Sequence, residues 1–319
     1  MAFSVSEKAE FIEKAFGKGA MTRTGTNISV RCPVKECASR KDRSKKKLSI
    51  RIEDDLNHCW VCGWGARSLA PLLIKYCDEN LLHEYKERFA PHVKTYQQTE
   101  TKDVKLSLPP RFRFLATASK NDPDVLVAWN YIFQRGLNES HVWRFKLGVS
   151  DDPKWKSRII FLSHDEAGEL NFYVGRSMHK KVWPKYEAPD HVKSTDIIFN
   201  ELNVDWKQRL TICEGPFDLT KCGENAVCLL GSNFSEKSAL FNKILLNKTP
   251  IAIALDSDMP HKTQAYAKKL YEYDIDVKTV DLGDRHDPGE MSQEEFAEHL
   301  SAAKSFSWIE SFKSKLSMI

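Results

Sequence analysis

Two short apolar runs in this chain end at carboxylates, and that pairing restricts the fold more than any other feature. Thr211-Ile212-Cys213 runs into Glu214 and turns at Gly215-Pro216, with Asp218 close behind. Pro250-Ile251-Ala252-Ile253-Ala254-Leu255 runs into Asp256-Ser257-Asp258. A short run without polar alternation suits a parallel strand covered on both faces. In open parallel sheets, ligands collect in the crevice beyond the carboxyl ends of the strands. Acidic groups gathered there repel one another unless a cation lies between them. Hard oxygen donors suit Mg²⁺, which takes a few carboxylates and keeps its other positions for water and phosphate. The expectation is phosphoryl-transfer chemistry.

The chain has 319 residues, enough for two or three domains. No apolar run approaches the ~18 residues of a membrane span, and the N-terminus lacks the apolar core of a signal peptide. A cytoplasmic protein with no membrane partner is expected. Net charge is only +4, but nine Lys or Arg fall between Arg31 and Arg51 against Glu36 and Asp42. The region after Asp256 is acidic. A basic end and an acidic end suit a polyanion held near a metal site, although a solvated basic loop has the same composition.

Cys32-x4-Cys37 and Cys59-x2-Cys62 form two close pairs, the spacing of a structural four-thiolate zinc site. His58 is a conceivable substitute for Cys59, but the two-residue gap to Cys62 favours the cysteine. Cys77, Cys213, Cys222 and Cys228 read as buried free thiols. Trp60 and Trp64 flank the second pair, and the Arg40–Lys47 run, with Lys45 and Lys46, lies between the pairs. Aromatic planes beside basic residues suit single-stranded nucleic acid. Each tryptophan taken singly reads more readily as packing on the zinc ribbon, while the module as a whole favours nucleic-acid binding.

Helical spacing is expected over 1–20, 68–76 and 81–89. Residues 91–110 are polar, end at Pro109-Pro110, and read as a linker. Mixed α and β patterning follows to about 203. Strands at 209–214, 250–255 and 275–282 then alternate with helices at 235–246 and 262–273, predicting a parallel α/β sheet. Ser292 and Glu295 suit the capping box of a final helix running to the C-terminus.

The segments around Glu214 and Asp256 resemble the paired motifs of the Toprim domain, found in DnaG-type primases, type IA and type II topoisomerases, and some nucleases. Their company narrows the resemblance. Tyr131-Ile132-Phe133-Gln134-Arg135-Gly136-Leu137 with Phe145-Lys146-Leu147-Gly148, then Arg158-Ile159-Ile160-Phe161, Gly175-Arg176 and Pro184-Lys185-Tyr186, is similar to the RNA polymerase domain of DnaG-type primases in order. A zinc ribbon precedes them, as in that family. The resemblance covers roughly 28–300 and is nearest to the stand-alone primases of large tailed phages.

The resemblance implies a multi-domain α/β protein: a zinc-ribbon template-binding domain over 1–90, a linker over 91–110, a basic mixed α+β subdomain over 111–204, a Toprim subdomain over 205–300 and a C-terminal helix over 301–319. It implies a DNA primase, a nucleotidyltransferase making RNA primers on a single-stranded DNA template from ribonucleoside triphosphates. Glu214, Asp256 and Asp258 would be catalytic. With Asp218 and Asp287 they would hold Mg²⁺ or Mn²⁺, two ions or more, beside one structural Zn²⁺. Where the bacterial motif has a second acid after Asp287, this chain has Gly289, leaving Glu290 or Asp284 for the role. Arg176, Lys180, Lys181 and Lys185 would bind triphosphate or product strand. No Gly-x4-Gly-Lys-Ser/Thr loop occurs, so a separate replicative helicase is the implied partner, with single-strand-binding protein a further one. No counterpart of the bacterial helicase-binding domain is expected after the Toprim region. Alternatives are a Toprim nuclease, or a non-catalytic zinc-ribbon DNA-binding protein.

Overall fold

The computed structural model describes residues 4–34, 37, 46–66, 68–89, 106–179, 182–231 and 234–307. The chain divides into two compact units. One comprises residues 1–101 with 245–247 and 269–275; the other comprises the remainder.

In the first unit, α1 (Val5–Phe16) opens with a capping box. Ser4 Oγ accepts from the Glu7 amide, and the Glu7 carboxylate accepts from the Ser4 amide. Its Phe11 and Ile12 are buried. Strands β1 (Ala20–Met21), β2 (Asn27–Val30), β3 (Leu48–Arg51), β4 (Asn57–Cys59) and β5 (Gly65–Ala66) form an antiparallel meander in chain order. Helices α2 (Ala70–Tyr76) and α3 (Glu79–Arg88) follow. α3 starts two residues before the periodicity predicts because Asp78 caps it, accepting from the Leu81 amide at 2.9 Å. Lys8 and Asp55, both fully buried, pair at 2.7 Å. The Tyr85 hydroxyl donates to Asp55 at 2.8 Å and meets Ser68 Oγ at 3.0 Å.

The second unit carries two further sheets. Strand β6 (Phe112–Phe114) precedes helices α4 (Pro123–Gln134) and α5 (Glu139–Arg144). Then come β7 (Gly148–Ser150), β8 (Arg158–His164), β9 (Leu170–Ser177) and β10 (Tyr186–Glu187). The five strands pair antiparallel in the order β10-β9-β8-β7-β6. Of the expected linker, 91–105 lies outside the described residues, and Leu106 packs against Trp155, Ile160 and Tyr173.

The remaining elements are β11 (Leu210–Cys213), α6 (Pro216–Leu219), β12 (Ala226–Cys228), α7 (Ala239–Asn247), β13 (Ile251–Ile253), α8 (Pro260–Tyr271), β14 (Val277–Thr279), α9 (Gln293–Ser301) and β15 (Lys304–Ser305). Sheet order is β12-β11-β13-β14-β15, parallel except for the last pair. All residues of β11, β12 and β13 are buried, as two-sided cover requires. β12 went unforeseen because three residues behind a turn are too few to carry a period.

The expected C-terminal helix over 301–319 is corrected at its start. α9 ends at Ser301, and the chain pairs β15 antiparallel to β14. Buried Ala303 and Phe306 anchor that edge, with the Phe306 amide donating to Val277 O at 2.8 Å. Residues 308–319 lie outside the described residues. Only half of the expected capping box forms: Ser292 accepts from the Glu295 amide, while the Glu295 carboxylate pairs with Arg285 at 3.0 Å.

Candidate active site and thiolate cluster

β11 lies between β12 and β13, so the chain passes from β11 to one side and then crosses over to the other. That reversal opens a crevice at the carboxyl ends of β11 and β13, the place where such sheets bind ligands. Glu214 follows β11 directly. Gly215-Pro216 then starts α6, placing Asp218 within its first turn, where its carboxylate accepts from the Gly215 amide at 2.8 Å. Asp256 follows β13 after buried Ala254 and Leu255. The Ser257 amide donates to His286 O at 2.8 Å, tying the Asp256 loop to the loop that carries Asp287.

A cavity of about 820 Å³ lies at this crevice. Glu214, Asp218, Asp256 and Asp287 line it, together with Arg135, Arg176, Lys185 and Lys193. Asp258 is exposed and does not line the cavity, but its charge raises the pKa of Asp256. Neither Asp284 nor Glu290 reaches the cavity; Glu290 accepts from the His286 amide instead. Gly289 lines it in their place.

Burial, then the charges of Asp287 and Asp256, push Asp218 up to about 7. Burial, then Glu214, Asp287 and Asp258, push Asp256 up to about 6, with Lys185 opposing. Carboxylates held this close resist ionising together unless a cation compensates them. The acidic wall is an open one: among the described residues, only the four cysteines below bring three or more ligand atoms within 4.8 Å of one another. Two observations nevertheless fit a hard cation. Asp256 Oδ1 is buried with no hydrogen-bond partner. Gly289 leaves a space against Asp218 and Asp287 that any Cβ would fill.

The two lining arginines are braced by aromatic rings. Arg176 donates to the Tyr186 hydroxyl at 2.7 Å and lies 4.8 Å from that ring's centroid. Arg135, which caps the C-terminus of α4, lies 5.0 Å from the Phe217 centroid and 5.6 Å from that of Tyr131. Arg176 reaches the same Phe217 ring at 6.0 Å. Burial pushes the Tyr186 phenol up to about 12, keeping it protonated. Arg135 and Lys193 were not singled out from the sequence. Arg135 had a signal, a lone cation closing an apolar helix before Gly136; Lys193 sits in a loop with no pattern. Lys180 and Lys181 lie outside the described residues.

In the first unit, Cys32, Cys37, Cys59 and Cys62 converge. The Cys32–Cys62 sulfurs are 3.8 Å apart and the Cys37–Cys59 sulfurs 3.6 Å. Tetrahedral Zn–S bonds of ~2.3 Å place sulfurs about 3.8 Å apart, so the cluster suits a structural zinc ion. The neighbouring thiols of Cys32 and Cys62 lower the pKa of Cys59. His58 stands outside the cluster, its ring tilted against Trp60 with the centroids 4.5 Å apart. Trp60 and Trp64 are half-buried, and Trp64 packs on the core of this unit. Lys46 donates to Gly19 O at 2.6 Å, while Lys45 lies outside the described residues.

No family model matches the sequence, and no curated protein matches it. Among solved structures, the chain is similar to the RNA polymerase domain of Mycobacterium tuberculosis primase DnaG in complex with double-stranded DNA. Identity is 15% and the TM-score 0.50, over 60% of this chain and 77% of that one. Also similar are the zinc-binding and RNA polymerase domains of Aquifex aeolicus primase (16% identity, TM-score 0.46, 96% of this chain and 87% of that one) and the E. coli primase catalytic core (19%, 0.46, 59% and 76%). At these identities the likeness is one of fold, here that of DnaG primase catalytic domains.

Proposed function

We propose that this chain is a DNA primase, similar to those of large tailed phages, which makes short RNA primers on single-stranded DNA. The observation that carries the reading is the cavity at the sheet's reversal, where Glu214, Asp218, Asp256 and Asp287 face the same space as Arg176 and Lys185. Joining nucleotides needs negative charge balanced at both the attacking 3′-hydroxyl and the leaving pyrophosphate.

Glu214, Asp218, Asp256 and Asp287 would hold Mg²⁺ or Mn²⁺, with Asp258 adding charge from outside. When bound, such ions activate the hydroxyl and neutralise the triphosphate. Arg176, Lys185 and Arg135 bind phosphate oxygens, and the aromatic rings beneath the two arginines hold their planes in position. Tyr186 stays protonated and orients Arg176. The four cysteines hold zinc that stabilises the first unit and does no chemistry, and the basic 31–51 stretch around it draws in template. A separate replicative helicase, with single-strand-binding protein, would supply the unwound strand in the host cytoplasm.

The test is incubation of single-stranded DNA of mixed sequence with labelled ribonucleotides and Mg²⁺, resolving the products on a gel. Short, template-dependent RNAs that vanish with Asp256→Asn are expected. Cleaved DNA with no RNA would replace this reading by a Toprim nuclease.

A further inference from the structure

Strands β9 and β10 pair with Arg176 opposite Tyr186, and their connection carries Trp183. This side chain is 87% exposed, more than any other large hydrophobic residue among those described, and it has no ring contact among them. Tryptophan carries a large apolar surface that proteins ordinarily bury at least in part. The residues that follow it are braced. Buried Arg158 donates to Pro184 O at 2.8 Å, and the Ser177 amide donates to Lys185 O at 3.0 Å. The residues just after Trp183 are therefore held in place.

Its position relative to the cavity follows from the chain. Lys185 lines the cavity two residues on, so the two Cα atoms are at most ~7 Å apart. Arg176, on the partner strand, lines it too. An exposed aromatic plane thus stands near the cavity, with two cations on the same hairpin. Among the described residues of this connection, Val182 is the only other exposed apolar one, and His179 is exposed and polar. A protein-docking surface would need a broader apolar patch. An aromatic plane flanked by cations instead suits a base with phosphates on either side.

We propose that Trp183 is a stacking platform for a base of single-stranded nucleic acid at the cavity mouth, with Lys185 and Arg176 pairing with the adjoining phosphates. The inference rests on the nucleic-acid reading of the site and adds the contact that holds the strand there. Because every base has a stacking face, the platform tolerates any sequence.

The test titrates the full chain, without Mg²⁺, with a short oligothymidylate and with a base-free deoxyribose-phosphate oligomer of equal charge. Trp183→Ala is expected to weaken oligothymidylate binding about 5- to 150-fold and to remove part of the tryptophan quenching. Trp183→Tyr should retain most of the affinity, and all three proteins should bind the base-free oligomer alike. An unchanged melting temperature is expected, since the side chain is exposed. Equal affinity of wild type and Trp183→Ala for oligothymidylate overturns the platform alone. An equal loss on the base-free oligomer overturns it as well, since stacking would not be the cause. A wild type that binds neither oligomer overturns both the platform and the nucleic-acid reading.

Discussion

Gly289 lies so near Asp218 that a Cβ at position 289 would stand 2.9 Å from the Asp218 Oδ1. The same atom would stand 3.0 Å from Asp287 Oδ1. The missing side chain lets the turn after Asp287 approach α6, and any substituent pushes the two carboxylates out of place. Gly289→Ala is therefore expected to lower synthesis by about 10²-fold, the scale of a misplacement near 1 Å. Calorimetric titration with Mn²⁺ should show weakened binding. Gly289→Asp, although it adds an acid, should also bind less tightly. Wild-type Mn²⁺ affinity in Gly289→Ala would contradict this account.

Glu214 and Asp256 sit at the ends of neighbouring parallel strands and contribute charge without bracing the fold. Glu214→Gln and Asp256→Asn should each reduce primer synthesis by about 10²- to 10³-fold. Template affinity, measured by fluorescence anisotropy, should stay within about twofold, because cations dominate strand binding. Near-normal synthesis by either variant would remove the assignment.

The carboxylate wall also predicts a pH dependence. Asp218 at about 7 and Asp256 at about 6 lie above the ~3.9 of an unfolded aspartate. The folded chain then holds more protons than the unfolded one between roughly pH 4 and pH 7, so its metal-free stability falls as pH rises through that window. The melting temperature without Mg²⁺ should drop between about pH 4 and pH 7. Asp218→Asn should remove much of the drop, and Mg²⁺ should raise the melting temperature more at the higher pH. A flat profile for the wild type would count against the shared charge.

Zinc removal should act on the first unit. Cys59 is fully buried and lies 3.6 Å from Cys37 across the cluster. Cys59→Ser is expected to cut zinc content well below one per chain by elemental analysis, and to increase hydrogen exchange in β3 and β4. Full zinc retention would show that the metal is held elsewhere.

In the same unit, Asp55 receives both the buried Lys8 ammonium and the Tyr85 hydroxyl. Asp55→Ala takes away the carboxylate that compensates a fully buried charge and should cost about 3–5 kcal/mol. Tyr85→Phe removes one hydrogen bond and should cost nearer ~1 kcal/mol. Urea denaturation of the full chain, followed in the first unit, separates the two.

The cysteine pairs and the apolar runs ending at Glu214 and Asp256 were legible in the sequence by itself. Ligand spacing within a knuckle and the absence of alternation in a buried strand are local properties, written in consecutive residues. That both runs enter a parallel sheet follows from the same absence of alternation. The position of β12, the reversal of direction at β11 and the antiparallel closure by β15 came only from the tertiary structure, because strand order is set by packing between segments far apart in the chain. The same holds at residue level. Asp218 beside Gly289, Arg135 over Phe217 and Lys193 at the cavity are contacts between separate elements, and no spacing along the chain encodes them. Trp183 and Trp64 make the contrast plain. Both are tryptophans near cations in the sequence, yet one packs into a core and the other faces solvent, since burial depends on what the rest of the fold brings alongside.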